Sequence, residues 1–259
     1  MALTETMTLT PITFLIVCPL VFLAGFVDSI GGGGGLISLP AYIFAGLPAH
    51  LAIGTNKLSS CCGTAVTTGR FAKNGLIDWK LAAPSVLLAV IGSSIGAHIS
   101  MSMDEQIIRY LMVVVLPIAA FFVLNRNLFN NNGADHVSYD LKTYLTACLA
   151  AFVIGIYDGV YGPGTGTFLI IAFTVFAKLD IGHANGQTKV INLTTNLTSL
   201  VIFLMNGQVL IPLGIAAALC NMAGGYLGAG MAMQSGAKIV RPIILIVLAL
   251  LLVKILTGT

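Results

Sequence analysis

Four ionisable side chains lie inside long apolar stretches of this sequence. They are two aspartates and two lysines: Asp28, Lys57, Asp158 and Lys189. A charge at the centre of a helix in a bilayer costs about 2.5–3.5 kcal/mol on insertion scales, so such side chains pair with one another or face a polar cavity. One interpretation is structural, with Asp–Lys salt bridges that lock helices together. The other is a shared solute pathway, which the occurrence of two matching sets favours.

A glycine-rich stretch follows each aspartate. Residues 25–40 read GFVDSIGGGGGLISLP and residues 155–170 read GIYDGVYGPGTGTFLI. Glycine lets the backbone turn sharply and leaves N–H groups uncovered, and a helix that begins there offers unpaired donors to an anion. A flexible linker or a dinucleotide fingerprint is the alternative, but apolar segments flank both stretches and no strand precedes them. We therefore predict broken helices, with anion contacts at Gly33, Gly34, Gly35, Gly164, Thr165 and Gly166.

A polar run surrounds each lysine. Residues 54–69 read GTNKLSSCCGTAVTTG and residues 186–199 read GQTKVINLTTNLTS. On a helix these runs place amide and hydroxyl groups on one face, which can orient a solute or hydrogen-bond a neighbouring helix. The predicted contacts in the runs are Asn56, Lys57, Thr188, Lys189 and Asn192. Asp28 and Asp158 are predicted to hold the lysines or to take up protons.

The composition identifies the class of protein that positions these groups. Of 259 residues, 57% are hydrophobic and 8% are charged, whereas soluble domains carry about a quarter charged residues. The sequence therefore predicts a polytopic membrane protein. The net charge of +3 comes without a basic patch, so nucleic acid is not an expected partner. The five cysteines lack metal-ligand spacing and no HExxH motif occurs, so we expect no metal, no cofactor and no enzymatic activity.

The chain divides into two copies of one unit. Charges and turn residues separate ten apolar segments, of which the second and seventh are short enough to be half-helices or re-entrant segments: 12–29, 36–49, 51–70, 81–99, 107–124, 141–159, 166–179, 184–205, 209–231 and 238–256. An offset of 132 positions relates Lys57 to Lys189 and Gly92 to Gly224, and an offset of 130 relates Asp28 to Asp158. We predict a first repeat over 1–124, a cytoplasmic linker over 125–140 and a second repeat over 141–259.

The distribution of basic residues predicts the orientation. With the N-terminus outside, eight Lys and Arg residues at segment ends face the cytoplasm and two face outward. Each repeat then crosses an odd number of times, so the second is inserted upside down. The predicted fold class is an all-α polytopic membrane protein of two inverted five-segment repeats, with broken helices at the glycine loops and both termini periplasmic.

The paired motifs resemble those of the sulfite exporter TauE/SafE family. The resemblance rests on the GxxDSIGGGGGLISLP block, the GTNK segment, and the DGxYGPGTG and QTKxxN blocks of the second half, and it covers essentially the whole chain. It implies a transporter of small sulfur-containing oxyanions in a bacterial inner membrane. It also implies contacts from loops 31–35 and 162–166, from Asn56-Lys57 and from Thr188-Lys189. Because Pro163 and Thr165 replace glycines of the first half, the two sides of the site are not chemically equal.

The function predicted from these features is secondary transport of sulfite or an organosulfonate by alternating access. Export is favoured, since an inside-negative potential drives an anion outward. The partners are a small anion and the lipid bilayer, and assembly as a homodimer is left open. An anion channel and an uptake permease for another oxyanion or a carboxylate are the alternatives. An intramembrane enzyme would need a nucleophile–base pair, and a membrane scaffold would need no buried Asp–Lys sets.

Overall fold

The computed structural model describes residues 9–124 and 140–235, which form helices joined by short turns and contain no β-strand. The helices are α1 Pro11–Gly31, α2 Gly35–Phe44, α3 Ala49–Lys73, α4 Trp79–Ser102, α5 Glu105–Leu124, α6 Leu141–Val160, α7 Thr165–Ile171 with a π-helical continuation Ala172–Phe176, α8 Ile181–Met205 and α9 Ile211–Ser235. The all-helical membrane class predicted from the composition is confirmed. The predicted linker, apart from Asp140, and the tenth segment lie outside the described residues.

Five of the described helices are long and apolar enough to cross a membrane: Pro11–Gly31, Trp79–Ser102, Leu141–Val160, Ile181–Met205 and Ile211–Met233. Large apolar side chains on several of them are exposed, including Leu15, Leu87, Leu149 and Leu219. In water such a surface would be unfavourable, whereas lipid tails solvate it. Helix α3 has the same length as α8, 25 residues, but it is more polar because its last turn carries Arg70 and Lys73.

Helices α2 and α7 are too short to span a bilayer. The 10 residues of α2 extend about 15 Å at 1.5 Å per residue, half of a hydrocarbon core of about 30 Å. This agrees with half-helices, although the predicted boundary of segment two at residue 49 is wrong. Helix α2 ends at Phe44. In the turn that follows, the Gly46 N–H donates a hydrogen bond to the main-chain oxygen of Ile43, and the Leu47 N–H donates to that of Tyr42. The apolar residues beyond it form this turn and the start of α3.

Contacts between the halves occur in equivalent pairs. Helix α1 packs on α9, and α4 packs on α6. A Cβ at Gly92 would lie 2.3 Å from the Phe152 oxygen, and one at Gly224 would lie 2.0 Å from the Phe22 oxygen. Gly224 corresponds to Gly92 at the offset of 132, and Phe152 corresponds to Phe22 at the offset of 130. The second contact is therefore the first with the two halves exchanged. Close packing at small residues is the usual way that membrane helices associate.

Candidate solute-binding site

The two helix breaks contact each other between the halves. A Cβ at Gly32 would lie 2.4 Å from the Thr167 nitrogen, and one at Gly35 would lie 2.9 Å from the Pro163 Cα. The Thr167 hydroxyl donates a hydrogen bond to the Gly31 oxygen at 3.2 Å. No side chain fits at Gly32 without displacing the backbone of α7, so glycine is required by this close approach.

The lysine of the first half forms an ion pair with the aspartate of the second. Lys57 Nζ donates to the main-chain oxygen of Asp158 at 2.6 Å and to its Oδ2 at 2.8 Å. Asp158 Oδ1 accepts a second bond from the Thr165 hydroxyl at 2.8 Å. The side chains of Lys57 and Asp158 are 2% and 3% exposed. Both charges are therefore buried and hydrogen-bonded to each other.

The second ion pair reverses the roles of the halves. Lys189 Nζ donates to the main-chain oxygen of Asp28 and, at 3.0 Å, to its Oδ2. Asp28 Oδ1 accepts from the Gly34 N–H at 3.2 Å. The Lys189 side chain is fully buried, but the Asp28 side chain is 20% exposed. The salt bridges that the sequence left open thus form across the two halves, and the Asp28–Lys189 pair is the more accessible.

A polar cavity lies between the two breaks. Its lining residues come from α1, α2, α3, α6, α7, α8, α9 and the two breaks, and the centre of a water molecule can occupy about 30 Å³ of it. A single water needs at least about 10–15 Å³ by this measure, so the cavity holds about two waters. The lining residues are Ala24, Asp28, Gly34, Gly35, Ser38, Asn56, Lys57, Ser60, Thr64, Asp158, Gly162, Gly164, Thr165, Gly166, Asn192, Asn196 and Asn221.

Most of the residues predicted as contacts or as charge partners are brought together in this lining. They are Asp28, Gly34, Gly35, Asn56, Lys57, Asp158, Gly164, Thr165, Gly166 and Asn192. Three others are not in the lining. Gly33 forms the turn between α1 and α2 with φ +86°, and Lys189 is buried behind Asp28. The Thr188 hydroxyl is buried with no hydrogen-bond partner among the described residues.

Several of the polar lining residues were not predicted from the sequence. Ser60 and Thr64 follow Asn56 at intervals of four on α3, and Asn196 follows Asn192 by four on α8, so helical spacing was a usable signal. Asn221 is different, because it stands alone in the apolar run AAALCNMAGG. An isolated amide in an apolar membrane helix was the only signal for this residue.

The charges around the cavity cancel. Lys57 and Lys189 balance Asp28 and Asp158, so a solute meets no net positive charge from these four groups. Two neutral amides of the lining bond to each other: the Asn196 NH₂ donates to the main-chain oxygen of Asn192 at 2.8 Å and to its Oδ1 at 3.0 Å. With its oxygen used in this way, the NH₂ group of Asn192 is the part of that side chain available to a solute.

Broken helices that meet at a central polar cavity between two related halves define a class of protein. This is the architecture of many secondary transporters, in which discontinuous helices surround the solute site. The chain is accordingly a multi-pass helical membrane protein of the transporter type.

Comparison with known proteins identifies the family. Residues 17–255 match the profile of the family described as Sulfite exporter TauE/SafE, and the chain belongs to this family. It is 33% identical to "Probable membrane transporter protein ORF9" of Sinorhizobium sp. over 92% of this chain and 90% of the relative. It is 31% identical to a "Probable membrane transporter protein" of Haemophilus influenzae, over 87% of each chain. It is 30% identical to "Probable membrane transporter protein YfcA" of Escherichia coli K12, over 90% of this chain and 86% of the relative.

No solved structure matches the chain. The family and the names of these relatives indicate a membrane transporter rather than an enzyme.

Proposed function

We propose that this protein is a secondary transporter that exports a small sulfur-containing anion, sulfite or a small organosulfonate, by alternating access. The observation that carries the proposal is the polar cavity between the two helix breaks, into which both halves contribute amides and hydroxyls. Asp28, Lys57 and Asp158 also line it. The two repeats would be inserted in opposite orientations in a bacterial inner membrane, with both termini periplasmic. Rocking of one half against the other would then expose the cavity to each side in turn.

The size and charge of the cavity favour a small, singly charged solute. Room for about two waters suits a compact oxyanion and leaves no space for a bulky organic group in this conformation. Because the fixed charges cancel, each added negative charge must be stabilised by neutral donors and by displacement of the ion pairs. A second charge on the solute would increase the cost of removing it from water.

The predicted roles of the site residues follow from their positions. Gly34, Gly35, Gly164 and Gly166 expose main chain to the cavity, and Asn56 and Asn192 would donate amide hydrogens to the anion oxygens. Lys57 and Lys189 would supply positive charge as their pairs with Asp158 and Asp28 loosen. Either carboxylate could take up a proton during that step, which would couple proton movement to transport.

The membrane potential favours export over uptake. Outward movement of a monoanion gains about 2.3 kcal/mol per 100 mV of inside-negative potential, so export needs no coupling ion. Uptake of the same anion would have to be driven by another gradient.

Two measurements on the purified full-length protein test the proposal. Thermal unfolding is followed with sulfite, methanesulfonate, thiosulfate, sulfate and acetate, because a ligand stabilises the state that binds it. The anion that raises the unfolding temperature is then loaded into proteoliposomes to measure saturation and counterflow of a labelled tracer. Saturable counterflow of sulfite or methanesulfonate is expected. Flux without counterflow would indicate a channel, a response to acetate alone would indicate a carboxylate permease, and no response to any anion would refute the proposal.

A further inference from the structure

Asn221 is seated in a space that two glycines of the other half leave open. A Cβ at Gly63 of α3 would lie 1.9 Å from Asn221 Oδ1, and one at Gly25 of α1 would lie 2.6 Å from the same atom. The carboxamide of α9 therefore reaches between α1 and α3 and lines the cavity from the second half. Any larger residue at position 63 would occupy the volume of this side chain.

The carboxamide of Asn221 borders the cavity without a protein partner. The residue is 6% exposed, and within residues 9–124 and 140–235 its side chain forms no hydrogen bond. Neither its nitrogen nor its oxygen is among the fully buried unpaired atoms of these residues, so the carboxamide can be reached from the cavity. The neighbouring amide of Asn196 is already engaged with Asn192. The oxygen of Asn221 lies against Gly63 and Gly25, so its NH₂ group is the part that remains available to a molecule in the cavity.

The repeat does not supply this amide twice. At the offset of 132, Asn221 corresponds to Ala89 and Gly63 corresponds to Thr195. Ala89 is fully buried in an apolar cluster with Ala147 and Ala151. A packing role shared by α4 and α9 would not require an amide on one side alone, so the difference points to the solute.

We infer that Asn221 contacts the transported anion and determines its orientation, donating its NH₂ hydrogens to an anion oxygen from the second-half side of the cavity. This inference rests on the proposed function and assigns a specificity-determining residue to the same site. Because the contact comes from one half only, the anion is bound off the axis that relates the repeats. The ligand class is a small oxyanion with at least one oxygen free to accept an amide hydrogen.

The test measures anion binding by titration of the unfolding temperature for the parent protein and four variants, with methanesulfonate and sulfite as probes. Asn221→Ala removes the donor, Asn221→Asp keeps the shape but places a carboxylate against the anion, and Gly63→Ala displaces the carboxamide. Gly69→Ala is the matched control on α3, since a Cβ there meets no atom within 4 Å. We expect the dissociation constant to rise at least tenfold for Asn221→Ala and Gly63→Ala. Asn221→Asp should show no measurable binding, and Gly69→Ala should bind as the parent protein does.

Each outcome decides a different point. If the parent binds and both Asn221 variants bind equally well, Asn221 is not a contact, while the proposed function stands. If the parent binds neither probe, both the assignment of Asn221 and the proposed anion site are refuted. Unfolding temperatures without anion show whether each variant is folded. If Asn221→Ala proves unstable, binding by Asn221→Asp, which retains the volume of the side chain, determines whether the contact exists.

Discussion

Lys57 and Asp158 are 101 positions apart and belong to different halves of the chain, yet Lys57 Nζ is 2.8 Å from Asp158 Oδ2. Lys189 and Asp28 form the reciprocal pair. Each half therefore supplies the countercharge for the other, at the place where the two helix breaks meet. In the proposed transport cycle, movement of one half relative to the other would change both pairs, and the pairs would then link solute binding to conformational change.

The first prediction concerns Lys57→Met. Removing the ammonium leaves Asp158 buried and uncompensated, and breaking a buried pair in this way costs about 3–5 kcal/mol. We expect a large fall in unfolding temperature in detergent. The double variant Lys57→Met, Asp158→Asn removes both charges and should recover most of the loss. Equal unfolding temperatures for the parent and Lys57→Met would contradict the buried ion pair.

The second prediction compares the two pairs. Lys189→Met leaves Asp28 without its countercharge, but Asp28 is 20% exposed, whereas Asp158, which also lines the cavity, is 3% exposed. Water in the cavity can solvate Asp28, so the cost should be about 1–3 kcal/mol, clearly below that of Lys57→Met. The same thermal assay measures both variants side by side. A loss at Lys189 as large as that at Lys57 would show that the two pairs are equivalent.

The helices and the buried position of the four charged residues between apolar segments could be predicted from the sequence, because apolar runs, turn residues and duplicated motifs are local features. The pairing partners could not, since a repeat offers each lysine two chemically identical aspartates, one in its own half and one in the other. The end of α2 at Phe44 was missed because apolar residues continue through the following turn into α3. Asn221 was missed because its space is created by Gly25 and Gly63, which are remote in sequence.

The third prediction tests the close packing of helices across the halves. A methyl group at Gly92 would overlap the main-chain oxygen of Phe152, and one at Gly224 would overlap that of Phe22. Gly92→Ala and Gly224→Ala should therefore each lower the free energy of unfolding by about 1–3 kcal/mol. Gly31→Ala is the control, because a Cβ at Gly31 meets no atom within 4 Å. Since the two contacts are equivalent through the repeat, losses of similar size are expected in thermal unfolding. Tolerance of both substitutions would contradict the packing of α1 on α9 and of α4 on α6.

The final prediction tests the opposite orientation of the two repeats. Asn74 and Asn206 occupy equivalent positions at the ends of α3 and α8, and both are exposed. Each side-chain amide caps its helix in the same way, with bonds of 2.8 Å to the Arg70 and Ile202 oxygens, so replacing either one has a similar structural effect. In a cysteine-free background, Asn74→Cys should react with an impermeant maleimide only from the cytoplasm, and Asn206→Cys only from outside. Intact cells and inverted vesicles distinguish the two sides. Labelling of both positions from the same side would refute the inverted repeat and, with it, alternating access by exchange of the two halves.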